Sequence, residues 1–442
     1  MKVIYKELNC YIPENLSTKD ILCYNKRWHE KYIYFIHNIV YRSLRDKKTF
    51  NGYVNMPSVL LQHLLGSHYS KYIINQLVNS KIIEVNRSYS SIQHFSKSYR
   101  LTDKYRGSSI VCTKIKKQTY CRKIQFMREK LAQDIFKNNP LLRHEFMNLS
   151  YRRIRVEEAI EYIDQTYSKD SPQYSSRLIS IHSFDSMKDS SYSNNVYKYD
   201  FTFSYKGGRL YTPCSNLAKD LEKFTYFVGY EKESSVSLDM PNSQLCFFSK
   251  FINLHNIGRE GKEGRENFAL TEKISSPLLS TPYVMQNRTW DSYIFNGLGY
   301  EVMMSLSTWR GKTEGHSQEE RQQFKAEFFG QLFYNSYREA LTDLERVFMF
   351  HFEAEAKALR EVKEELGNRL LAVQVQTLEG KFFHVNIVAY MLEKRYFDIP
   401  FTIKHDSITL PSSQASFLIA ELNNLVHEFF ERKDISFKFD VL

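Results

Sequence analysis

The chain has 442 residues, enough for two or three domains and at least one large core. Hydrophobic residues make up 42% and charged residues 25%, a balance that excludes a disordered or fibrous chain. Lys and Arg outnumber Asp and Glu by 61 to 50, giving a net charge of +11, and aromatics reach 15%. A basic, aromatic-rich chain suits a phosphate backbone and stacked bases, but charge alone does not separate it from a merely basic protein. No apolar run approaches the ~18 residues of a membrane helix, so no membrane association is expected. The opening stretch MKVIYKELNCYIPENL lacks the apolar core of a signal peptide, so a cytoplasmic location is expected. Cys10, Cys23, Cys112, Cys121, Cys214 and Cys246 form no CxxC pair and no zinc-finger spacing, and read as reduced, mostly buried thiols.

In chain order, YVNMPSVLLQHLLG reads as a helix ending at Gly66. SHYSKYIINQLVNSK reads as a second helix with a Ser N-cap. IIEVNRS and FSKSYRLT then look like two strands around a polar tip, Tyr89 to Gln93. Helix, helix and two-stranded wing is the order of a winged-helix module, and also of many other α+β domains. Residues 114–165 are basic and predicted as two amphipathic helices, either with solvated Lys/Arg faces or as an arm gripping a duplex. Residues 166–195, rich in Ser, Tyr and Asp, read as a linker and domain boundary. From Tyr197 strand-like and helical stretches alternate to the end.

Three stretches carry candidate chemistry. In VSLDMPNSQLCFF, a short strand ends at Asp239 before Pro241, with a helix following. A strand-end carboxylate can hold a divalent cation, although a lone Asp there is more often a turn cap. In EERQQFKAEFFGQLFYN, Arg321, Lys325, Phe329 and Phe333 recur every four residues and share one helical stripe. The cations suit a triphosphate and the rings suit a base or sugar, while a solvated amphipathic helix gives the same spacing. Gly330 inside that helix destabilises it by about 1 kcal/mol, which calls for a reason such as close approach of a base pair. In FTIKHDSITLP, a tight β-hairpin would present His405 and Asp406 at its tip.

Taken together and in this order, the stretches resemble family A DNA polymerases and the related single-subunit phage-type RNA polymerases. LDMPNSQ stands where that superfamily opens its first motif, and RQQFKAEFFGQLF resembles its RxxxKxxxFGxxY helix. His405-Asp406-Ser407 resembles its HDE or HDS hairpin, and GGRLYTPCSNL its GRL…NL element. The resemblance covers about residues 200–442. It implies that Asp239 and Asp406 hold two Mg²⁺ ions, with Mn²⁺ an alternative, and that Lys325 acts beside them in catalysis. Arg321, Lys325, Phe329, Phe333, Gln244 and Asn242 would bind the incoming nucleotide. Arg209, Tyr211, Gly330, His405, Gln374 and Gln376 would contact primer or template.

The fold implied is an α+β right-hand polymerase: an antiparallel β palm with helical fingers and thumb, behind an N-terminal winged-helix-like module. The expected division is 1–110 for that module and 111–195 for a thumb-like region with its linker. Residues 196–245 form the first palm part, 246–345 the fingers, and 346–442 helices and the second palm part. Palm strands are expected near 198–212, 234–239, 400–404 and 407–411 in one antiparallel sheet. The expected activity is DNA-dependent DNA synthesis on a DNA primer-template from dNTPs, without a proofreading exonuclease, as on a phage or mobile element. Gln244 replaces the Glu with which DNA polymerases of this family exclude ribose. Phe333 replaces the Tyr of the RNA polymerases, with Tyr334 about 100° off the stripe. An RNA-synthesising primase or transcriptase using rNTPs is therefore the alternative, and a non-catalytic DNA-binding initiator a second. GREGKEGRE lacks the spacing of a phosphate loop and reads as an exposed fingers loop.

Overall fold

A computed structural model describes residues 7–17, 26–45, 52–89, 96–189, 197, 199–260, 289–336, 340–396 and 398–442. The chain forms a mixed α+β structure of two compact units, both discontinuous in sequence. The first comprises Met1–Gln133, Arg153–Asp200 and Asn216–Thr225. The second comprises Asp134–Arg152, Phe201–Ser215 and Tyr226–Leu442. Among the described residues no helix is long and apolar enough to cross a membrane. Cys10, Cys121, Cys214 and Cys246 are buried free thiols, Cys112 is exposed, and Cys23 lies outside the described residues.

The first unit begins with β1 (Leu8–Pro13) and α1 (His29–Arg45). Then come β2 (Val54–Asn55), α2 (Ser58–Leu65), α3 (Ser70–Asn79), β3 (Ile83–Asn86), β4 (Ser98–Leu101) and β5 (Ile110–Ile115). Strands β1 and β5 pair antiparallel, and β4 lies between β2 and β3. Helix α1 buries Tyr32 to His37 almost continuously, so it is a central helix, not a surface one. Helix α2 ends at Gly66, whose φ of +96° suits glycine. The N-cap of α3 is Tyr69, without a side-chain cap bond, in place of the expected serine. The tip expected between β3 and β4 is described only as far as Tyr89.

Three helices occupy the basic stretch where two were expected: α4 (Gln118–Asn138), α5 (Leu142–Leu149) and α6 (Val156–Thr166). The described part of 166–195 is not a linker but belongs to the first unit, and 190–195 lie outside the described residues. It contains α7 (Pro172–Asp185), with Ser171 capping its N-terminus by accepting from the Tyr174 amide, and Pro172 in the first turn. Ile179, Ile181 and Phe184 are buried along it. Its serines do not break the helix, because hydroxyls such as Ser180 Oγ bond back to the preceding turn, here to Ser176 at 2.9 Å. The expected 111–195 region is thus shared between both units, with 134–152 belonging to the second.

In the second unit, β6 (Thr202–Ser204) and β7 (Arg209–Tyr211) form a ribbon of their own, closed by a Gly207-Gly208 turn. The main sheet therefore lacks the expected 198–212 strand. It contains β8 (Ser235–Asp239), and the helical stretch follows as α8 (Ser243–Glu260), α9 (Thr289–Phe295), α10 (Gly299–Leu306) and α11 (Gln318–Phe328). From Gly261 on, GREGKEGRE lies outside the described residues. Next come α12 (Asp343–His351), α13 (Glu353–Leu366), α14 (Asn368–Lys381) and α15 (Val388–Glu393). The chain ends with β9 (Thr402–Lys404), β10 (Ser407–Pro411), α16 (Ser412–Phe430) and β11 (Lys438–Val441). The sheet order is β9-β10-β8-β11, antiparallel throughout, so β11 lies where no strand was expected.

Strict alternation holds this sheet in register. Val236 pairs with Leu410 and Leu238 with Ile408, and all four are fully buried. Ser237 pairs with Thr409 and Asp239 with Ser407, on the opposite side of the pleat. A phenylalanine cluster, Phe247, Phe382, Phe383, Phe429 and Phe430, joins α8, the end of α14 and α16 in the core.

Glycine fixes one close approach. A β-carbon on Gly380 of α14 would lie 2.5 Å from the Gly208 carbonyl oxygen and 3.0 Å from that of Gly207. Backbone on both sides cannot yield, so Gly380→Ala is expected to destabilise the protein by about 1–3 kcal/mol. Urea unfolding of the variant against the wild type reads this directly, and an unchanged midpoint would refute the contact.

Candidate active site

Two acidic side chains distant in sequence meet at one end of the sheet. Asp239 is the last residue of β8, and Pro241 prevents the strand from continuing. Its carboxylate accepts from Ser237 Oγ at 2.8 Å. Lys404 pairs with Ser407, leaving His405 and Asp406 as a two-residue hairpin connection. His405 takes φ +57°, a left-handed conformation that histidine tolerates better than most residues. The Met240 amide donates to the Asp406 carbonyl at 3.2 Å, which closes the tip against the end of β8.

The charges of these groups interact. Burial, then the charges of Glu379 and Asp239, raises the Asp406 carboxyl to about 6, with the Lys325 ammonium opposing them. Three carboxylates and one lysine therefore share a single electrostatic field. Glu379 lies on α14 with its side chain 2% exposed. One of its oxygens accepts from Ser243 Oγ at 2.7 Å, and the other accepts from Arg209 Nε at 3.0 Å and from Arg209 Nη2. It ties together the start of α8, the β7 strand and α14.

Helix α11 places its two cations against one ring. The Arg321 guanidinium and the Lys325 ammonium each lie 5.5 Å from the centre of the Tyr300 ring. Arg321 is also paired with Glu301, while Lys325 acts on Asp406. Burial raises the Tyr300 hydroxyl above its ordinary range, and the oxygen is buried without a hydrogen-bond partner.

The stripe does not continue as a regular α-helix. Phe329–Phe333 form a π turn, in which the Tyr334 amide bonds the Phe329 carbonyl at 2.9 Å. The wider turn brings Tyr334 to the same side as Phe329 and Phe333, where straight helical geometry puts it about 100° away. These three rings, with Phe248, wall a small open pocket. Gln244, Gln376 and Glu379 also line it. Phe333 packs edge-on against Phe248 at 4.4 Å. A β-carbon on Gly330 would meet nothing within 4 Å, so no contact among the described residues explains that glycine.

The remaining candidates divide. His405 packs edge-on against Tyr211 at 5.8 Å, and its Nδ1 is buried without a partner. Burial, then the charges of Arg209 and Lys404, lowers its pKa to about 4, so it is neutral at pH 7. Arg209 is engaged by Glu379 and Tyr211. Asn242 is not brought to the pocket: it is buried, and its amide donates to the Ile294 carbonyl at 3.4 Å. Gln374, two residues before Gln376, points about 200° away around α14. Glu379, Ser243 and Tyr300 are the participants that sequence reasoning missed. Gly380 signals Glu379, since a glycine within a helix marks a close approach.

Among the described residues no three His, Cys, Asp or Glu side chains converge as a metal cage. The pair Asp239 and Asp406 still fits a hard cation of the Mg²⁺ type, which commonly takes one or two carboxylates and completes its shell with water and phosphate oxygens. The Asp406 carboxyl is raised by burial first and then by the neighbouring Glu379 and Asp239, an acidic and partly desolvated setting that suits a cation. Compared with known protein families and with curated proteins, the chain matches none.

Two predictions follow from this charge balance. The folded pKa of Asp406 lies above its unfolded value, so the native state binds the extra proton and wild-type stability falls as pH rises from about 4 to 6. Asp406→Asn removes that loss. The variant should be more stable than wild type by about 1–3 kcal/mol at pH 7.5 and nearly equal to it at pH 4, measured by urea unfolding. A variant less stable at both values would refute the assignment. Glu379→Ala leaves the Arg209 guanidinium without its partner and should cost about 3 kcal/mol, most of which the double variant Glu379→Leu/Arg209→Met should restore.

Proposed function

We propose that the second unit is a template-directed nucleic-acid polymerase, in first place a DNA-dependent DNA polymerase extending a primer 3′-hydroxyl. The single observation that carries this reading is the meeting of Asp239 and Asp406 at the end of one antiparallel pair, Asp239 opposite Ser407, with Lys325 in the field of Asp406. The aromatic pocket bounded by Glu379 adds a place for a nucleotide. In this reading the β9-β10-β8-β11 sheet is the palm and α8–α11 belong to the fingers. The order α2, α3, β3, β4 supports a winged-helix-like module in residues 1–110, and the helices of 111–195 would supply a thumb.

Each residue then has a role set by its surroundings. Asp239 and Asp406 would hold divalent ions, which when bound would supply activation of the primer hydroxyl and neutralisation of the leaving pyrophosphate. Lys325 and Arg321 would bind the triphosphate, and Arg321 must exchange Glu301 for it. Phe329 and Phe333 would stack on base or sugar, with Gln244 and Gln376 as the amides at the pocket wall. Glu379 would keep Arg209 and the start of α8 in place. Neutral His405, packed edge-on against Tyr211, would support the primer end.

A second reading, synthesis of RNA, has one observation in its favour. The π turn puts Tyr334 on the pocket wall beside Phe333, where its hydroxyl could bond a ribose 2′-OH. Extension of a labelled primer in Mg²⁺ with dNTPs or rNTPs decides between the two. The wild type should incorporate dNTPs, while Asp239→Asn and Asp406→Asn should each lower the rate at least a hundredfold without changing primer-template affinity. Preference for rNTPs that Tyr334→Phe abolishes would establish the second reading. No extension with either substrate, under conditions where the template is bound, would sink both.

A further inference from the structure

The first unit carries a cluster that the function proposed for the second does not use. Trp28 precedes α1, and its ring lies 5.0 Å from Tyr69 at 46° and 5.1 Å from Tyr72 at 77°. Tyr69 and Tyr72 are 42% and 47% exposed. Large rings are usually withdrawn from water, so two half-bare ones against a third form a feature needing a reason. They are also held in place. Gln76 donates to the Tyr72 hydroxyl at 2.6 Å and accepts from the hydroxyl of the buried Tyr32. The Lys31 ammonium stands 4.5 Å from the centre of the Tyr69 ring.

Cations gather at the same place. After burial, the charges of Lys123, Lys117 and Arg27 lower the proton affinity of Lys31, so each of them acts on it, and the Lys117 ammonium donates to the Arg27 carbonyl at 3.2 Å. Glu30 is paired with Lys117 at 3.4 Å and offsets one of them. Lys31 and Lys123 donate to the Leu65 and Leu64 carbonyls at the end of α2, which explains where two ammoniums sit. It does not explain the bare tyrosines.

We propose that Trp28, Tyr69 and Tyr72, with Arg27, Lys31, Lys117 and Lys123, form a stacking platform for single-stranded nucleic acid. The proposal stands apart from the function assigned to the second unit. Positive charge with rigid rings complements a polyanion whose bases present open faces. A duplex hides those faces inside its own stack, so an unpaired strand is the better partner.

The test uses the full-length protein and a fluorescein-labelled oligothymidylate of about 20 nucleotides, followed by anisotropy. Tyr69→Ser/Tyr72→Ser should weaken binding roughly tenfold or more, while Tyr69→Phe/Tyr72→Phe stays within about twofold, because faces and not hydroxyls carry the contact. Binding of a blunt duplex of equal length should hardly change in either variant. An oligonucleotide bearing 5-iodouracil should cross-link to Trp28, Tyr69 or Tyr72, and should do so equally in Asp239→Asn. Wild-type affinity in the Ser pair, an equal loss in the Phe pair, an equal loss for duplex, or cross-links confined to other residues would each overturn the proposal. An equal loss for duplex would point instead to a general electrostatic patch.

Discussion

The register of β8 against β10 is the constraint on which the rest of the second unit depends. Successive side chains in a strand alternate between faces, so a slip of one residue would send Val236, Leu238, Ile408 and Leu410 out of the core. The same slip would take Asp239 away from the tip that presents Asp406. The apolar face thus does two jobs with one set of contacts. It supplies burial energy, at about 25 cal/mol for each Å² removed from water, and it fixes where two charges stand. Two carboxylates brought this close repel one another, so the burial of the apolar face holds the site in an arrangement its own charges resist.

Glu379 adds to that repulsion and also organises it. A carboxylate this deeply buried is tolerable because Ser243 and Arg209 satisfy both of its oxygens. Its position is set in turn by Gly380, which lets α14 touch the Gly207-Gly208 turn. Arg209 leaves that turn directly into β7, so the approach of the helix and the aim of the guanidinium are one event. The site is therefore built by packing first and by charge second. Its excess of negative field is open to a cation, and the same field, with burial, raises the Asp406 carboxyl.

Much of this arrangement could be read from the sequence where the signals were local. The end of β8 at Asp239, the hairpin at His405-Asp406 and the stripe of Arg321 and Lys325 each follow from short patterns of period two or four. Signals that depend on distant partners could not be read that way. Glu379 sits in an unremarkable helix until Arg209 arrives from 170 positions earlier. The π turn at Phe329–Phe333 has no local marker beyond Gly330, and it changes which rings share a side. The Ser-rich stretch 166–195 was misleading because composition outweighed the Ser171-Pro172 start signal and the spacing of Ile179, Ile181 and Phe184.

The interleaving of the two units along the chain has a consequence for biogenesis. Residues 134–152 and 201–215 leave the first unit and return to it, and its last strip ends only at Thr225. During synthesis, at about 5–20 residues per second, the N-terminal unit cannot complete its contacts until half of the polypeptide has emerged. No single cut separates the two, since a break anywhere between 134 and 225 removes material from both. Neither unit is therefore a contiguous stretch that could be excised and kept whole, and the order of synthesis delivers the second unit's first strip before the first unit's last one.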